Sequence, residues 1–384
     1  MRAVAQGRPA EPIPAGAATA PHPAPHPAPH PGPHPPPHAA RLPPGSVAVG
    51  VPAAARGRAL GLLAALVVLA GTCLLSLWVG ANHLPFGEVW HVLWHNDGSQ
   101  AALVVHDLRI PRTLLGLTVG AALGVAGALA QALTRNVLAE PGLLGVNWGA
   151  SAAVVAGISI FGVTSPAGYV WFAFAGAGVA AVVVFLLGTA GRGAATPAGL
   201  VVAGAAASAV LGAFVNAVLL LDVRTFDRFR FWDVGSLTVT GTGALWATGP
   251  FVLAGLVLAL ALVRPLNALA LGDESARGLG VRLNQARLAG ALAIILLSGA
   301  ATAAAGPIMF VGLAVPHVAR ALVGPDHRWV LPYSAVLAAI LLIGSDLLGR
   351  VVIAPGELQV GIVTGIVGAP VFVVLCRRTR LARP

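Results

Sequence analysis

From Leu60 to the C-terminus the sequence consists of apolar runs close to 20 residues long, separated by short polar segments. A helix needs about 20 apolar residues to cross a hydrocarbon core roughly 30 Å thick. Inside that core every backbone N–H and C=O must find its partner within the protein. The pattern predicts an all-α polytopic membrane protein with about ten transmembrane helices. The runs cover 58–80, 111–133, 143–161, 169–190, 197–221, 243–263, 288–305, 307–323, 331–349 and 359–376. Only 9% of residues are charged, where a soluble domain carries about 25%. A soluble enzyme and a disordered chain are both excluded.

The charges fall between the runs, and their sidedness tests the topology. With both ends inside, the interior segments hold 17 arginines and the exterior segments 6, while acidic residues divide 5 inside and 8 outside. That bias fits cytoplasmic termini and an even number of spans in a cell membrane. The formal net charge is +10, but it is scattered between spans, so topology rather than nucleic-acid binding accounts for it. Every basic residue other than histidine is Arg. Without Lys there is no conventional P-loop, whose lysine reaches the phosphates, and no lysine Schiff base.

Residues 1–55 differ in kind. From Pro21 to His38 the sequence repeats Pro-His-Pro-Ala and close variants. Proline removes backbone donors and fixes φ, so an extended, disordered cytoplasmic tail is expected here, ahead of a transmembrane domain over 56–384. The histidines of the repeat could bind a metal weakly, or the segment is a low-complexity extension. Cys73 and Cys376 lie within apolar runs and read as small embedded residues, not a disulfide or zinc framework. No resident cofactor or metal is expected.

Several constellations could carry function. Arg109-Ile-Pro-Arg112 opens the second span from outside, with Pro111 suited to a first helical turn. A docking patch for an acidic partner and contacts to lipid phosphate are both open readings. Gly116, Gly120 and Gly124 recur at every fourth position, and Gly361 and Gly365 repeat the spacing. Such spacing lets helix backbones approach closely and predicts that spans two and ten are central. The segment from Gln131 to Gly145 mixes polar residues with Pro141, Gly142 and Gly145, as a gate or a buried turn would. The interior loop 265–282 places Leu266, Leu269, Ala270, Asp273, Ala276 and Arg277 at helical spacing. Gly272, Gly278 and Gly280 cut it into short helices. Such helices on a membrane face either dock a partner or lie in the headgroups. Asp346 and Arg350 form an i,i+4 acid–base pair near the outer end of span nine. Glu88, His91 and His95 share one helical face flanked by Trp90 and Trp94. A single Glu-x-x-His falls short of the doubled motif of di-metal bundles, so an interfacial helix anchored by tryptophan is expected.

Five segments in order then carry a resemblance. They are RIPRTLLGLTVGAALGVAGALAQALTRNVLAEPGLLGVNWGAS, LALGDESARGLGV, GPIMFVGLAVPHVARALVGPDHR, LLIGSDLLGR and ELQVGIVTGIVGAPVFVVLCRR. Over about 58–378 the chain resembles the FecCD family of ABC-transporter permeases, which import iron–siderophores, haem and vitamin B12.

The resemblance implies a vitamin B12 importer-like permease fold that catalyses no bond change itself. It works with a separate ABC ATPase subunit, an extracytoplasmic substrate-binding protein and a second permease copy or paralogue. Arg109, Arg112 and Arg350 match positions that receive acidic residues of the binding protein. Leu269, Leu271, Gly272, Asp273, Ala276, Arg277, Gly278 and Gly280 match the loop that seats on the ATPase. Asn136, Val137 and Leu138, with Ala195 and Thr196, match the cytoplasmic gates. Val137 stands where the family usually has Pro, and the segment from Phe231 to Gly243 is a few residues longer than usual. Iron–siderophore is the expected cargo; vitamin B12 and haem are the alternatives. An ion-coupled secondary transporter would need titratable residues at mid-span, and spans two to eight hold almost none. An intramembrane Ser–His protease would rest on His317 with Ser298 or Ser345, a pairing that chance supplies in a chain this long.

Overall fold

The computed structural model describes residues 51–80, 84–189, 197–238, 241–353 and 356–381. The Pro/His repeat, Ala195 and Thr196 lie outside the described residues. In chain order the helices are α1 (Val51–Trp78), α2 (Phe86–Trp94), α3 (Gln100–Leu103), α4 (Ile110–Thr134), α5 (Val146–Ser159), α6 (Pro166–Thr189), α7 (Pro197–Leu221) and α8 (Val223–Asp233). They continue with α9 (Gly241–Ala261), α10 (Val263–Ala270), α11 (Asp273–Gly278), α12 (Leu283–Ala305), α13 (Val311–Val323), α14 (His327–Val352) and α15 (Val360–Leu381). No strand occurs among the described residues. Among the described residues seven helices are long and apolar enough to cross a membrane; α5, α13 and the first half of α15 are shorter apolar helices at the remaining expected positions.

Span two departs from its expected start. Gln100–Thr134 is one continuous helical segment of 35 residues, so Pro111 sits inside it rather than in its first turn. The ring of Pro111 lacks an N–H and would clash with an α-helical carbonyl one turn back. The chain relieves this by widening Val104–Arg109 into π-helical turns directly upstream.

This helix is the centre of the bundle. Along its most apolar stretch 78% of residues are buried, against 6% for α1. It packs on α14, α12, α13 and α9. Glycine makes that possible. A methyl group on Gly120 would meet the Ala339 backbone, one on Gly124 the Ser334 carbonyl, and one on Gly127 the Gly312 carbonyl. Span ten does not share this position. Gly361 lies against the Val234 carbonyl, but Gly365 has open space around it, and α15 packs on α14 and α13. The four-residue spacing records close packing only when the partner helix is present, and here that side of α15 is uncovered.

Pro316 interrupts the hydrogen-bond ladder of α13. Its missing N–H would have bonded the Gly312 carbonyl. Gln131 on α4 replaces it: its Nε2 donates to Gly312 O at 3.3 Å and to Leu313 O at 3.1 Å. The Oε1 of the same amide accepts from Arg320. Gln131 is thereby fully used, as a buried amide must be.

Candidate functional site

At the C-terminal end of α14 the three expected arginines do converge, around Asp346. Arg112 Nε and NH2 donate to both carboxylate oxygens, NH2 to Oδ1 at 2.7 Å and Nε to Oδ2 at 3.0 Å. Arg350 Nε donates to Oδ2 at 3.0 Å. Arg350 NH2 donates to the same Asp346 oxygen and to Ser76 Oγ at 3.2 Å, and its NH1 bonds Ser76 O at 2.9 Å and Val79 O at 3.1 Å at the end of α1. Arg109 NH1 bonds Leu77 O at 2.8 Å and Trp78 O at 2.6 Å. These carbonyls belong to the last turn of α1 and the residue after it, which have no partners within the helix. Two cations there also complement the negative end of the helix dipole.

The three arginines are therefore unequal. Arg109 is 4% exposed and Arg350 2%, with their guanidinium groups engaged inside the fold. Arg112 reaches outward: its NH1 donates to Glu357 Oε2 at 2.7 Å, and the Glu357 side chain is 34% exposed. Charge patterning alone could not separate a buried helix cap from an outward-facing ligand group. Glu357 carried no signal of its own in the sequence.

The other end of α14 meets the interior loop. Asn267 on α10 donates to Asp326 Oδ1 at 2.7 Å, and its Oδ1 accepts from the His327 backbone at 2.9 Å. From Asp326 to Arg350 the helix rises roughly 36 Å at 1.5 Å per residue, so one rigid element joins the loop to the arginine cluster. Within the loop Leu269 and Ala276 are buried and hold it to the bundle, whereas Leu271 and Leu279 are 67% and 65% exposed. Arg277, Gly278 and Gly280 are exposed with them. Gly272 has φ 107° and Gly280 φ 78°, conformations that disfavour any Cβ. The loop thus divides into an anchoring side and a bare side.

Asp273 links this loop to the end of α4. Its Oδ1 accepts from Arg135, the residue that ends α4 with φ 49°, and its Oδ2 accepts from Arg287 NH2 at 2.8 Å. Burial pushes the Asp273 carboxyl up, but Arg287 and Arg135 outweigh it and hold it below its ordinary value. Next to Arg135, Asn136, Val137 and Leu138 are exposed. The Asn136 carboxamide oxygen accepts from Leu138 N at 3.0 Å, and its carbonyl from Ala139 N at 3.0 Å. This turn closes on Asn136, so Val137 occupies it without a proline. Ala195 and Thr196 are outside the described residues.

A cleft of about 610 Å³ is lined by residues 140–142, α5, α7, the end of α8, residues 307–309 and the start of α15. Asn147, Trp148, Ser151 and Ser208 give it polar edges, and Glu140 and Asp233 give it two carboxylates. Glu140 Oε1 accepts from Phe310 N at 2.9 Å. Burial raises the Glu140 carboxyl, opposed by that bond. Asp233 stands exposed on the wall; desolvation by its surroundings raises its carboxyl, opposed by Ser151 Oγ at 3.5 Å. Neither acid stands out in the sequence, because a wall assembled from six segments leaves no local spacing signal.

On the outer helix, His91 and His95 stack at 5.0 Å, and Trp90 and Trp94 are 50% and 69% exposed. No group of three metal-ligating side chains occurs among the described residues.

A family profile described as the FecCD transport family matches residues 66–378. The ferric enterobactin transport system permease protein FepD of Escherichia coli (strain K12) is 45% identical over 322 residues, which is 84% of this chain and 96% of that protein. The Fe(3+)-citrate import system permease protein YfmD of Bacillus subtilis (strain 168) is 42% identical over 306 residues, 80% of this chain and 91% of that protein. A metal-chelate-type ABC transporter solved in an inward-facing conformation superposes with a TM-score of 0.73 at 26% identity, covering 83% of this chain and 99% of that one. With the profile running from within α1 into α15, this chain belongs to the FecCD transport family.

Proposed function

We propose that the chain is the membrane-spanning permease of an ATP-driven importer of ferric chelates of the siderophore type. The reading is carried by one arrangement: two specialised ends that α14 connects, in a bundle that also holds a cleft of chelate size. The names of the relatives, for ferric enterobactin and Fe(3+)-citrate, supply the cargo class.

In this reading a binding protein docks at the end bearing Arg112, with Arg109 and Arg350 holding that surface in place. Charge complementarity steers and orients such docking. A separate ATPase subunit seats on the bare side of the interior loop, against Leu271, Arg277, Gly278, Leu279 and Gly280. Leu269, Gly272, Asp273 and Ala276 position the loop. A second permease copy or paralogue covers the apolar face that α7 leaves open, where Val202 and Val210 are 69% and 70% exposed. ATP-driven closure rocks the helices as rigid bodies, and Asn136, Val137 and Leu138, with Ala195 and Thr196, gate the inner mouth. Both termini are cytoplasmic, with the residues before α1 a tail ahead of the transmembrane domain, and the chain makes and breaks no bond.

The test is reconstitution. Proteoliposomes holding this chain, its ATPase and its binding protein should accumulate a ⁵⁵Fe-chelate only with ATP, and the chain alone should move none. Uptake by the chain alone overturns the reading.

A further inference from the structure

Near its start α1 leaves a furrow open. A cavity of about 490 Å³ is enclosed between α1, the end of α13 and the first turns of α14. Gly61 and Ala65 of α1, Leu322 of α13 and Leu337 of α14 form apolar walls, and Arg58 lines the end nearer the start of α1. Tyr333 fixes the gap. Its Oη donates to the Arg58 carbonyl at 2.7 Å, and a methyl group on Gly61 would meet that hydroxyl. One turn earlier, also on the furrow, a Cβ on Gly57 would have nothing within 4 Å. The helices touch at Tyr333 and leave space beside it.

The surroundings are those of a lipid-facing helix. Only 6% of the most apolar stretch of α1 is buried, and Leu60 and Leu63 next to the furrow are exposed. The charge at its end is positive. Among the described residues the Arg58 guanidinium makes no hydrogen bond or ion pair, and its NH2 lies 3.6 Å from where a Cβ on Gly324 would stand, just past α13. Asp326 is already committed, its Oδ1 accepting from Asn267 at 2.7 Å and from Arg328 N at 3.0 Å. Burial pushes the Asp326 carboxyl up, but those bonds and the charges of Arg328 and Arg58 hold it below its ordinary value. Two arginines thus act on one engaged carboxylate. Basic pockets between membrane helices bind anionic lipid headgroups, and arginine at the end of a span reaches the headgroup level on its long stem.

We propose that one anionic phospholipid, of the phosphatidylglycerol type, occupies this furrow, with its phosphodiester on Arg58 and an acyl chain along Gly61, Ala65 and Leu337. The walls beyond Arg58 are apolar, so they hold a lipid chain and offer nothing to a free anion. The furrow shares no residue with the open face of α7 or with the interior loop.

The full-length chain in detergent is given phosphatidylglycerol or phosphatidylcholine with the same acyl chains, and retained lipid is counted by native mass spectrometry. One phosphatidylglycerol per chain should outlast the others, held about fivefold more tightly than phosphatidylcholine. Arg58→Gln should remove that preference and Arg58→Lys should keep it. Gly57→Leu, which grows into open space, should expel the lipid, and its melt without added lipid should be no lower than that of the wild type. Arg56→Gln, on the same helix but outside the furrow, should leave the preference in place. Equal retention of the two lipids overturns the proposal, as does a preference unmoved by Arg58→Gln and Gly57→Leu. A loss as large from Arg56→Gln as from Arg58→Gln, or displacement of the lipid by inorganic phosphate alone, overturns it too.

Discussion

Arg112 on α4 clasps Asp346 on α14 in a two-pronged pair, with NH2 to Oδ1 at 2.7 Å and Nε to Oδ2 at 3.0 Å. Arg350 closes on the same carboxylate from one turn away. The Asp346 side chain is 2% exposed, so its charge is stabilised only by these partners. Asp346→Ala would leave two buried guanidinium groups sharing a site without their anion. Breaking a buried pair from one side costs about 3–5 kcal/mol. A thermal melt in detergent should show the loss, and it should be insensitive to salt. A melt unchanged by Asp346→Ala would mean that the cluster contributes nothing to the fold.

Glu357 completes that cluster from the exposed side, and the second prediction separates it from Asp346. Glu357→Gln removes one charge-assisted bond at the surface, so the melt should change by no more than about 1 kcal/mol. The neutral amide still accepts from Arg112 NH1 but holds it less tightly, which leaves it more available to a carboxylate of a docking protein. Affinity for the binding protein should rise several-fold, and Arg112→Glu should abolish docking. If Arg112→Glu docks normally, the surface has been misplaced.

The spans were legible because membrane burial leaves a signal in every stretch of 20 residues. The expected run 197–221 coincides with α7, and 111–133 lies within one residue of α4. What lay before Pro111 was not legible. A proline at the edge of an apolar run reads as a helix start, and nothing in Val104–Arg109 announces the widened turns that let the helix continue. The arginines show a different limit. Their clustering was legible from the family pattern, but the burial of Arg109 and Arg350 depends on where α1 ends. Contacts between residues 31 to 274 positions apart carry no local periodicity. Gly365 repeats the spacing of Gly120 and Gly124 without a neighbour, so spacing alone did not place α15.

Asp273 gives a prediction about acid. Its carboxyl is held below the ordinary value in the fold, so its bonds to Arg135 and Arg287 contribute fully above the unfolded carboxylate value of about 3.9. That contribution fades as pH falls through the lowered folded value. The difference in stability between the wild type and Asp273→Asn should be flat from neutral pH down to about pH 5 and shrink below pH 4. At neutral pH it should be no more than about 1 kcal/mol, because the groups are partly exposed. The larger effect belongs to coupling: ATP hydrolysis by the assembled transporter should respond less to the binding protein in Asp273→Asn. A gap that widens in acid would reverse the assignment.

Close packing along α4 predicts an ordered pair of glycine substitutions. Gly124→Ala drives a methyl group into the Ser334 carbonyl on α14, and overpacking of this kind costs about 1–3 kcal/mol. Gly344→Ala on α14 has open space around it and should be neutral or stabilising by up to about 1 kcal/mol, since alanine is the better helix former. Thermal melts of the two variants should differ in sign or at least in size. Equal effects would show that the glycines of α4 act through backbone entropy rather than approach.

Gln131 offers the sharpest test, because its task follows from another residue's chemistry. It donates to the Gly312 carbonyl that Pro316 leaves without a partner and accepts from Arg320. Gln131→Leu strands both groups in a buried site, each loss being worth about 1–3 kcal/mol. Gln131→Glu keeps an acceptor for Arg320 but loses the donor to Gly312. Pro316→Ala returns a backbone N–H to α13, so Gly312 regains a partner within its own helix. In that background the penalty of Gln131→Leu should shrink by about 1 kcal/mol or more, a coupling that a double-mutant cycle reads directly. Strict additivity of the two substitutions would show that Gln131 does not stand in for the bond that Pro316 cannot make.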